Sequence, residues 1–286
     1  MCRYVAYLGE PLSLSDVLYS PSNGLIHQAS AAIESRTRIN ADGFGIGWYD
    51  PAGSSIPAVF KDTSPAWNNE NLRSLANMVN STCVLAHVRA AQRFDPISRS
   101  NCHPFQSNGL LWMHNGDIPS RARFHRRVVS MASDELVARI RGNTDTELAF
   151  VLFLTVLGEA RFRSCTADDL AGAMVRVTEQ IVAWWHEDGD DRPLALNFCV
   201  ANGESVVALR YALNDPEVPT LHYCQGSRFM CEGGACRMLT DERSRCVILA
   251  SEVLSEGPEW KTIDNGTLVV VHAPDSVEFR ELPLTI

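Results

Sequence analysis

The chain begins Met1-Cys2-Arg3 and runs at once into an apolar segment, Tyr4 to Leu8. Aromatic, β-branched and aliphatic residues in so short a run predict a buried strand, which would hold in place a terminus that frays in most chains. Methionine aminopeptidase removes Met1 when the next side chain is small, so we expect Cys2 to carry both a thiol and a free α-amine. An α-amine with a pKa of about 7.7–8.0 can act as the base for its own thiol. Taken alone, Cys2 is more simply an ordinary second residue.

Composition narrows the class of protein. A chain of 286 residues that is 45% hydrophobic can fill the core of one large α/β domain or two small ones. The net charge of −9, with no concentrated basic stretch, argues against nucleic-acid binding. The run Arg121 to Arg127 is better interpreted as the solvated face of a helix than as a basic partner site. We find neither a signal peptide nor an apolar run long enough to cross a membrane, so we expect a cytoplasmic protein.

The nine cysteines are scattered and odd in number, which in such a chain predicts reduced thiols. Four of them cluster loosely, namely Cys224, Cys231, Cys236 and Cys246. Because none forms a C-x-x-C pair, a zinc site is the weaker alternative, and ordinary core or loop thiols are favoured.

Hydrophobic periodicity predicts strands and helices along the whole chain. The predicted strands lie at 4–8, 40–49, 59–61, 82–89, 110–113, 194–201, 205–211, 221–223, 246–250 and 268–271. The predicted helices lie near 11–18, 69–79, 119 onward, 147–157 and 167–185. Since no linker interrupts them, we expect one domain over residues 2–286, of α+β class with layers of sheet and helix.

Three segments carry side chains suited to chemistry. Arg89 ends an apolar strand, where a buried guanidinium needs a partner such as a ligand carboxylate or a structural ion pair. Asn115-Gly116, between a strand and an expected helix, can direct a side-chain amide and a backbone N–H at one point, which suits an oxyanion hole. Asp145 precedes a long apolar helix and could equally be its N-cap.

Together these segments resemble the class II glutamine amidotransferases, which are N-terminal-nucleophile hydrolases. The matching stretches are CRYVAY, DGFGIGWY, AHVRAAQ, HNGDI and NTDTE, in the order of that family. The resemblance implies a four-layer α/β/β/α sandwich and neither a metal nor another cofactor. It also implies that Cys2 attacks a γ-glutamyl amide to form a thioester, with Asn115 and Gly116 holding the oxyanion. Arg89 would bind the substrate carboxylate, and Asp145 its ammonium.

Two histidines lie beside these residues, His87 and His114. We interpret both as structural, while keeping His87 as a candidate substrate-binding residue. The chain departs from well-known members after the arginine, where Ala90-Ala91-Gln92 replaces Trp-Ala-Thr. The segments 27–38 and 225–236 are candidates for the loops on the leaving-group side.

Nothing in the sequence resembles a synthase domain. The chain looks most like a free-standing subgroup that includes the γ-glutamyl hydrolase of ergothioneine synthesis and the yeast-type glutathione-degrading amidotransferase subunit. The stretch Leu249-Ala250-Ser251-Glu252-Val253-Leu254, before Trp260 and an apolar final strand, supports that subgroup. We therefore expect a hydrolase that releases glutamate from a small γ-glutamyl compound. The alternative is a glutaminase subunit that supplies ammonia to a separate synthase. A protein partner, either a synthase or a peptidase subunit, stays open, and so does a homo-oligomer.

Overall fold

Two seven-stranded sheets form the centre of the computed structural model, which describes residues 2–35, 37–52, 55–92, 95–162, 164–232, 235–240 and 243–283. In chain order the strands are β1 (Arg3–Ser13), β2 (Phe44–Trp48), β3 (Ala58–Asp62), β4 (Asn80–Val88), β5 (Phe105–Ser107), β6 (Leu110–Asp117), β7 (Leu194–Ala201), β8 (Val206–Arg210), β9 (Ala212–Leu213), β10 (His222–Gly226), β11 (Arg228–Glu232), β12 (Ala235–Leu239), β13 (Cys246–Ala250), β14 (Lys261–Thr262), β15 (Thr267–Ala273) and β16 (Ser276–Glu281).

The helices pack outside the sheets. They are α1 (Ser15–Leu18), α2 (Leu25–Ala31), α3 (Glu70–Met78), α4 (Arg121–Met131), α5 (Asp134–Val137), α6 (Asp145–Leu157) and α7 (Ala167–Glu187), with short 3-10 turns at Ala66–Asn68, Arg99–Asn101 and Glu159–Arg161. Within the described residues, no helix combines the length and the apolar character that a membrane crossing requires.

The strand order of the first sheet is β14-β10-β13-β1-β4-β2-β3, and that of the second is β16-β15-β8-β7-β6-β5, with β9 added to β7. Alternate residues of β1 and β6 meet between the sheets, among them Tyr4, Leu8, Leu111 and Met113. A second core joins the outer face of the first sheet to α1, α2 and α3, and a third joins the second sheet to α4, α6 and α7. These three cores confirm the predicted α/β/β/α layering.

The segment at the N-terminus forms a central strand, as its apolar sequence predicts. β1 lies between β13 and β4, with Val5 opposite both Ala250 and Ala86. Side chains from both faces of such a strand are buried, so a continuous apolar run is expected there. The strand therefore fixes the position of Cys2, which directly precedes it.

Two boundaries differ from the sequence prediction. β1 continues through Ser13, and neither Ser13 nor Ser15 caps α1 with its side chain, because Leu14 occupies the cap position. β6 continues through Asp117, so Asn115-Gly116 lies within a strand and not between a strand and a helix. Pairing with β7 over residues 111–117 holds this segment extended. The later helix is confirmed as α4, which buries Phe124 and leaves Arg123 and Arg126 exposed, while Arg121 and Arg127 are half-buried.

The hairpin of β11 and β12 carries a disulfide between Cys231 and Cys236. The prediction that all nine cysteines are reduced thiols is therefore wrong for these two. Antiparallel pairing places them directly opposite each other, at a separation that a disulfide can bridge. Gly233-Gly234, between the two cysteines in the sequence, was the available signal for a hairpin turn. The other seven cysteines are free, and Cys224 and Cys246 are buried.

We expect a thiol titration of the unfolded chain without reductant to find seven thiols, rising to nine after reduction. Replacing Cys231 and Cys236 together by serine should lower the free energy of unfolding by about 2 kcal/mol, because the disulfide closes a short loop. Chemical denaturation would measure that difference. Nine reactive thiols before reduction would contradict the pairing.

Candidate active site

The predicted nucleophile, Cys2, lies at the end of the first sheet where β1 meets β4. Its Sγ is 3.6 Å from the carbonyl oxygen of Ala90. Because Arg3 pairs with Val88, the antiparallel register brings Cys2 alongside Arg89. Met1 lies outside the described residues, so the removal of Met1, which would expose the Cys2 amine, stays a prediction.

Strand alternation places the side chains of the site between the two sheets. Tyr4, Leu85 and Met113 all belong to the inter-sheet core. Residues two positions along a strand share a face, so Cys2, His87 and Asn115 face the same inter-sheet space. Three neighbouring strands thus bring together residues that are far apart in sequence.

A buried ion pair anchors the strand behind Cys2. The Nε of Arg3 lies 3.1 Å from Oε1 of Glu252, and both side chains are fully buried. Arg3 also donates to the carbonyl oxygen of Glu34 at 3.2 Å, and the N–H of Tyr4 donates to the Ser251 hydroxyl at 3.0 Å. In the sequence, Ser251-Glu252 is recognisable only as part of a family motif. In the structure these two residues hold Arg3 and Tyr4, and so they position the start of β1 next to Cys2.

Burial raises the pKa of the Cys2 thiol, while the nearby guanidinium groups of Arg89 and Arg3 oppose that rise by favouring the thiolate. A thiol that is protonated at neutral pH needs a base in order to attack a carbonyl. The arrangement therefore suits a nucleophile that is activated during the reaction and is otherwise protonated.

Cys2 opens into a cavity of about 220 Å³. Its described lining consists of Cys2, Thr37, Ala90, Ala91, Gln92, Gly116, Asp117, Pro193, Ala195 and Asp215. Of the residues predicted for the site, Cys2 and Gly116 line this cavity. Arg89, Asn115, Asp145 and His87 are not among the lining residues. Arg89 and Asn115 directly precede the lining residues Ala90 and Gly116, and Asp145 accepts from Ile118, which follows Asp117.

Arg89 is 3% exposed and directly precedes Ala90, which lines the cavity. One of its Nη atoms donates to the Pro96 carbonyl oxygen at 3.4 Å, and the other lies 3.7 Å from Oδ2 of Asp95. Asp95 makes a closer ion pair with Arg121. The fork of Arg89 is therefore only loosely engaged, and it can accept a carboxylate.

The glycine-rich motif after residue 40 supports the same loop. The N–H of Arg89 donates to the carbonyl oxygen of Gly43 at 2.8 Å, and Asp42 accepts from the N–H of Ala91 at 2.8 Å. Gly43 has a φ of +109°, a conformation that favours glycine. The motif therefore shapes the segment that carries Arg89 past Cys2.

Asn115 and Gly116 pair with Asn197 and Leu196 of β7. Asn115 is fully buried, and neither atom of its side-chain amide has a hydrogen-bond partner among the described residues. A Cβ at position 116 would lie 2.0 Å from the Ala195 carbonyl oxygen and 2.5 Å from Nε2 of His114, so only glycine fits. A buried amide donor next to a glycine at the cavity is suited to an oxyanion.

Asp145 begins α6 and is 6% exposed. Its Oδ2 accepts from the N–H of Ile118 at 2.9 Å, and its Oδ1 accepts from the N–H of Thr146 at 2.8 Å. Thr144 is the N-cap, through a bond from Glu147 N–H to its hydroxyl, which resolves the alternative that Asp145 itself caps the helix. Asp145 thus lies just behind the segment that follows Gly116.

His114 and His87 form buried hydrogen bonds that connect the strands β4, β6 and β7 with helix α6. His114 donates from Nε2 to the Ala195 carbonyl oxygen at 2.9 Å, and its Nδ1 lies 3.1 Å from the Thr146 hydroxyl. Nε2 of His87 donates to the His114 carbonyl oxygen at 3.2 Å. These contacts agree with a structural role for both histidines, and among the described residues His87 contacts none that lines the cavity, so its role in substrate binding stays a prediction.

Burial lowers the pKa of His87 to about 3, from an ordinary value near 6.5. Between about pH 3 and pH 6.5 the unfolded chain therefore binds a proton at His87 that the folded chain does not bind. The contribution of His87 to the stability of the fold is thus complete above about pH 6.5 and falls as the pH drops toward 3. The slope is on the order of 1.4 kcal/mol per pH unit. We expect His87→Gln to flatten the dependence of unfolding free energy on pH, measured by urea denaturation between pH 4 and 7. An unchanged slope would contradict the buried neutral histidine.

Sequence reasoning missed several residues of the cavity. Gln92 and Asp117 stand inside quoted motifs, AHVRAAQ and HNGDI, and a second polar residue in each motif was the available signal. Thr37, Pro193 and Asp215 come from loops that carry no motif. Thr37 falls in the predicted leaving-group segment 27–38, part of which is helix α2. The other predicted segment, 225–236, contributes no described lining residue and instead includes β11.

Comparison with known proteins identifies the family to which this chain is similar. A model described as glutamine amidotransferases class-II matches residues 25–284. The chain is 34% identical over 293 residues to "Probable glutamine amidotransferase DUG3" of Saccharomyces cerevisiae, covering 95% of this chain and 82% of the yeast protein. It is 38% identical over 272 residues to "Gamma-glutamyl-hercynylcysteine sulfoxide hydrolase" of Mycolicibacterium smegmatis, covering 95% of this chain and 96% of that protein.

Two solved structures share the fold. A glutamine aminotransferase class-II domain protein from Silicibacter pomeroyi superposes with a TM-score of 0.67 at 24% identity, covering 99% of this chain and all of that chain. Glutamine phosphoribosylpyrophosphate amidotransferase from B. subtilis gives a TM-score of 0.60 at 14% identity, covering all of this chain and 50% of that chain. At these identities the likeness concerns the fold alone.

Proposed function

The chain belongs to the class II glutamine amidotransferases, and from that premise we propose that it hydrolyses γ-glutamyl amide bonds with Cys2 as nucleophile. The observation that carries this proposal is that Cys2 and Gly116 line one cavity, that Arg89 and Asn115 directly precede lining residues, and that Asp145 contacts the segment after Asp117. A γ-glutamyl amide offers a carbonyl, a carboxylate and an ammonium, and this set supplies a partner for each.

In the first half-reaction, the Cys2 sulfur attacks the γ-carbonyl carbon while its own α-amine takes the thiol proton. The negative charge that forms on the carbonyl oxygen is held by the Asn115 amide and the Gly116 N–H. The α-amine then gives the proton to the departing nitrogen, the C–N bond breaks, and ammonia or a larger amine leaves. The product is a γ-glutamyl thioester on Cys2.

In the second half-reaction, a water molecule attacks the thioester and loses a proton to the α-amine. The same oxyanion donors stabilise the second tetrahedral intermediate. Collapse of this intermediate breaks the C–S bond, returns the proton to sulfur and releases glutamate. Arg89 and Asp145 hold the amino-acid end of the substrate throughout, which fixes the carbonyl near Cys2.

Glutamate release from L-glutamine, glutathione and γ-glutamyl thio-histidine derivatives tests the proposal. We expect Cys2-dependent release from at least one γ-glutamyl compound other than glutamine. Cleavage of glutamine alone, with activity rising on addition of a copurifying synthase, would favour the ammonia-supplying alternative. No release from any of these compounds by protein that lacks Met1 would contradict the proposed function.

Replacing Arg89 by lysine tests carboxylate binding. Lysine keeps the charge but cannot form a bidentate pair, so we expect KM for the γ-glutamyl substrate to rise about tenfold or more, with little change in kcat. Arg123→Lys, at a 55% exposed side chain of α4, is the matched control and should leave both constants unchanged. An unchanged KM in Arg89→Lys would remove Arg89 from the substrate site.

A further inference from the structure

Asp117 reaches the cavity where Asp145 does not. Asp117 lines the cavity beside Gly116, whereas Asp145 is 6% exposed and absent from the lining. The γ-carbonyl of a substrate at Cys2 and Gly116 lies only three bonds from its α-carbon. The ammonium on that carbon therefore falls within reach of the residue next to Gly116.

The oxygens of Asp145 are largely occupied. They accept from the N–H groups of Ile118 and Thr146, and the Thr146 hydroxyl lies 3.4 Å from Oδ1. A carboxylate has about four acceptor sites, and an ammonium brings three N–H donors. Asp145 alone therefore has too few free sites for the ammonium group.

The carboxylate of Asp117 has free capacity. Its Oδ1 accepts from Nε2 of Gln92 at 2.5 Å, and its Oδ2 accepts from no described residue. Burial raises the pKa of Asp117, and the nearby Asp145 carboxylate raises it further. Two neighbouring carboxylates at a cavity favour the binding of a cation between them.

Gln92 lies between Asp117 and the guanidinium of Arg121, and hydrogen-bonds to both. Its Oε1 accepts from Nη2 of Arg121 at 3.3 Å, while Nη1 of Arg121 contacts Asp95. Arg121 is thus directed to Asp95 and to the amide of Gln92, and among the described residues it makes no ion pair with Asp117. Gln92 therefore orients one oxygen of Asp117, a lining residue of the cavity, and the other oxygen has no partner among the described residues.

We infer that Asp117 binds the α-ammonium of the γ-glutamyl substrate jointly with Asp145, and that Gln92 positions Asp117 for this contact. The inference rests on the proposed function, because it concerns the same cavity. It makes Asp117 a determinant of the preference for α-amino acids over the corresponding dicarboxylates.

Protection of Cys2 against alkylation by iodoacetamide measures this preference without turnover. L-Glutamate and glutarate differ only in the α-ammonium, so the ratio of their half-protecting concentrations reports its contribution. We expect wild type to prefer L-glutamate, Asp117→Asn to reduce the preference about ten- to a hundredfold, and Gln92→Leu to reduce it severalfold. Gln92→Leu keeps the test open if Asp117→Asn does not fold.

Two controls separate this contact from general effects. Asp134→Asn, at an exposed position of α5, should keep the wild-type preference. Asp215→Asn removes a negative charge from the same cavity and should reduce the preference less than Asp117→Asn does. An unchanged preference in Asp117→Asn, or an equal loss in Asp215→Asn, would overturn the inference and leave the proposed function standing. If L-glutamate does not protect Cys2 in the wild-type protein, that result would contradict the proposed function itself.

Discussion

Cys2→Ala should abolish glutamate release, lowering kcat by about 10⁴-fold or more, because no other group at the site can form the thioester. Alanine is as small as cysteine, so removal of Met1 should proceed in the variant and the α-amine should still be exposed. The loss would then report the sulfur alone. Steady-state glutamate release, measured on the substrate that wild type cleaves best, gives the comparison.

The matched control is Cys165→Ala, which removes a free thiol just before α7, away from the cavity. It should retain wild-type turnover. Binding supplies a second control, since Cys2→Ala keeps Arg89 and Asp145 and should still bind L-glutamate in calorimetry. Turnover by Cys2→Ala within tenfold of wild type would contradict the nucleophile assignment.

Asn115→Ala should lower kcat about a hundred- to a thousandfold with little change in KM, as expected when one oxyanion donor is lost. The amide is fully buried and unpartnered among the described residues, so its donor is free to meet charge that forms during the reaction. Asn115→Asp should be at least as impaired, because it replaces a donor by a negative charge.

Asn80→Ala makes the same chemical change at an exposed position of β4 and should leave kcat unchanged. Thermal unfolding of Asn115→Ala should show a folded protein, which separates a catalytic defect from loss of structure. A raised KM with an unchanged kcat would show that Asn115 binds the ground state, and the oxyanion assignment would be wrong.

Much of the architecture could be predicted because its signals are local. Continuous apolar runs identified β4 and β7, and three- and four-residue spacing identified α3 and α7. The end of β6 was missed because Asn-Gly normally signals a turn, whereas pairing with β7 keeps it extended through Asp117. That pairing joins residues about eighty positions apart, which no local pattern contains.

In the candidate site, too, the residues with a local sequence signal could be predicted, and those that depend on long-range contacts could not. Cys2, Arg89, Asn115 and Asp145 could be named because each stands in a short family motif. The parts that depend on the tertiary fold could not be, such as the burial of Arg3 against Glu252 and the approach of Thr37 and Asp215 to the cavity. The Cys231–Cys236 disulfide likewise depends on a hairpin register that the spacing of the two cysteines does not reveal.

The most direct test of the account is to treat the protein with a glutamine analogue in which a diazoketone replaces the side-chain amide, and to map the adduct by mass spectrometry. We expect one adduct per chain, on the peptide that begins with Cys2 and lacks Met1, in proportion to the loss of activity. An adduct on another cysteine such as Cys102, or full activity in protein that retains Met1, would contradict an N-terminal cysteine nucleophile.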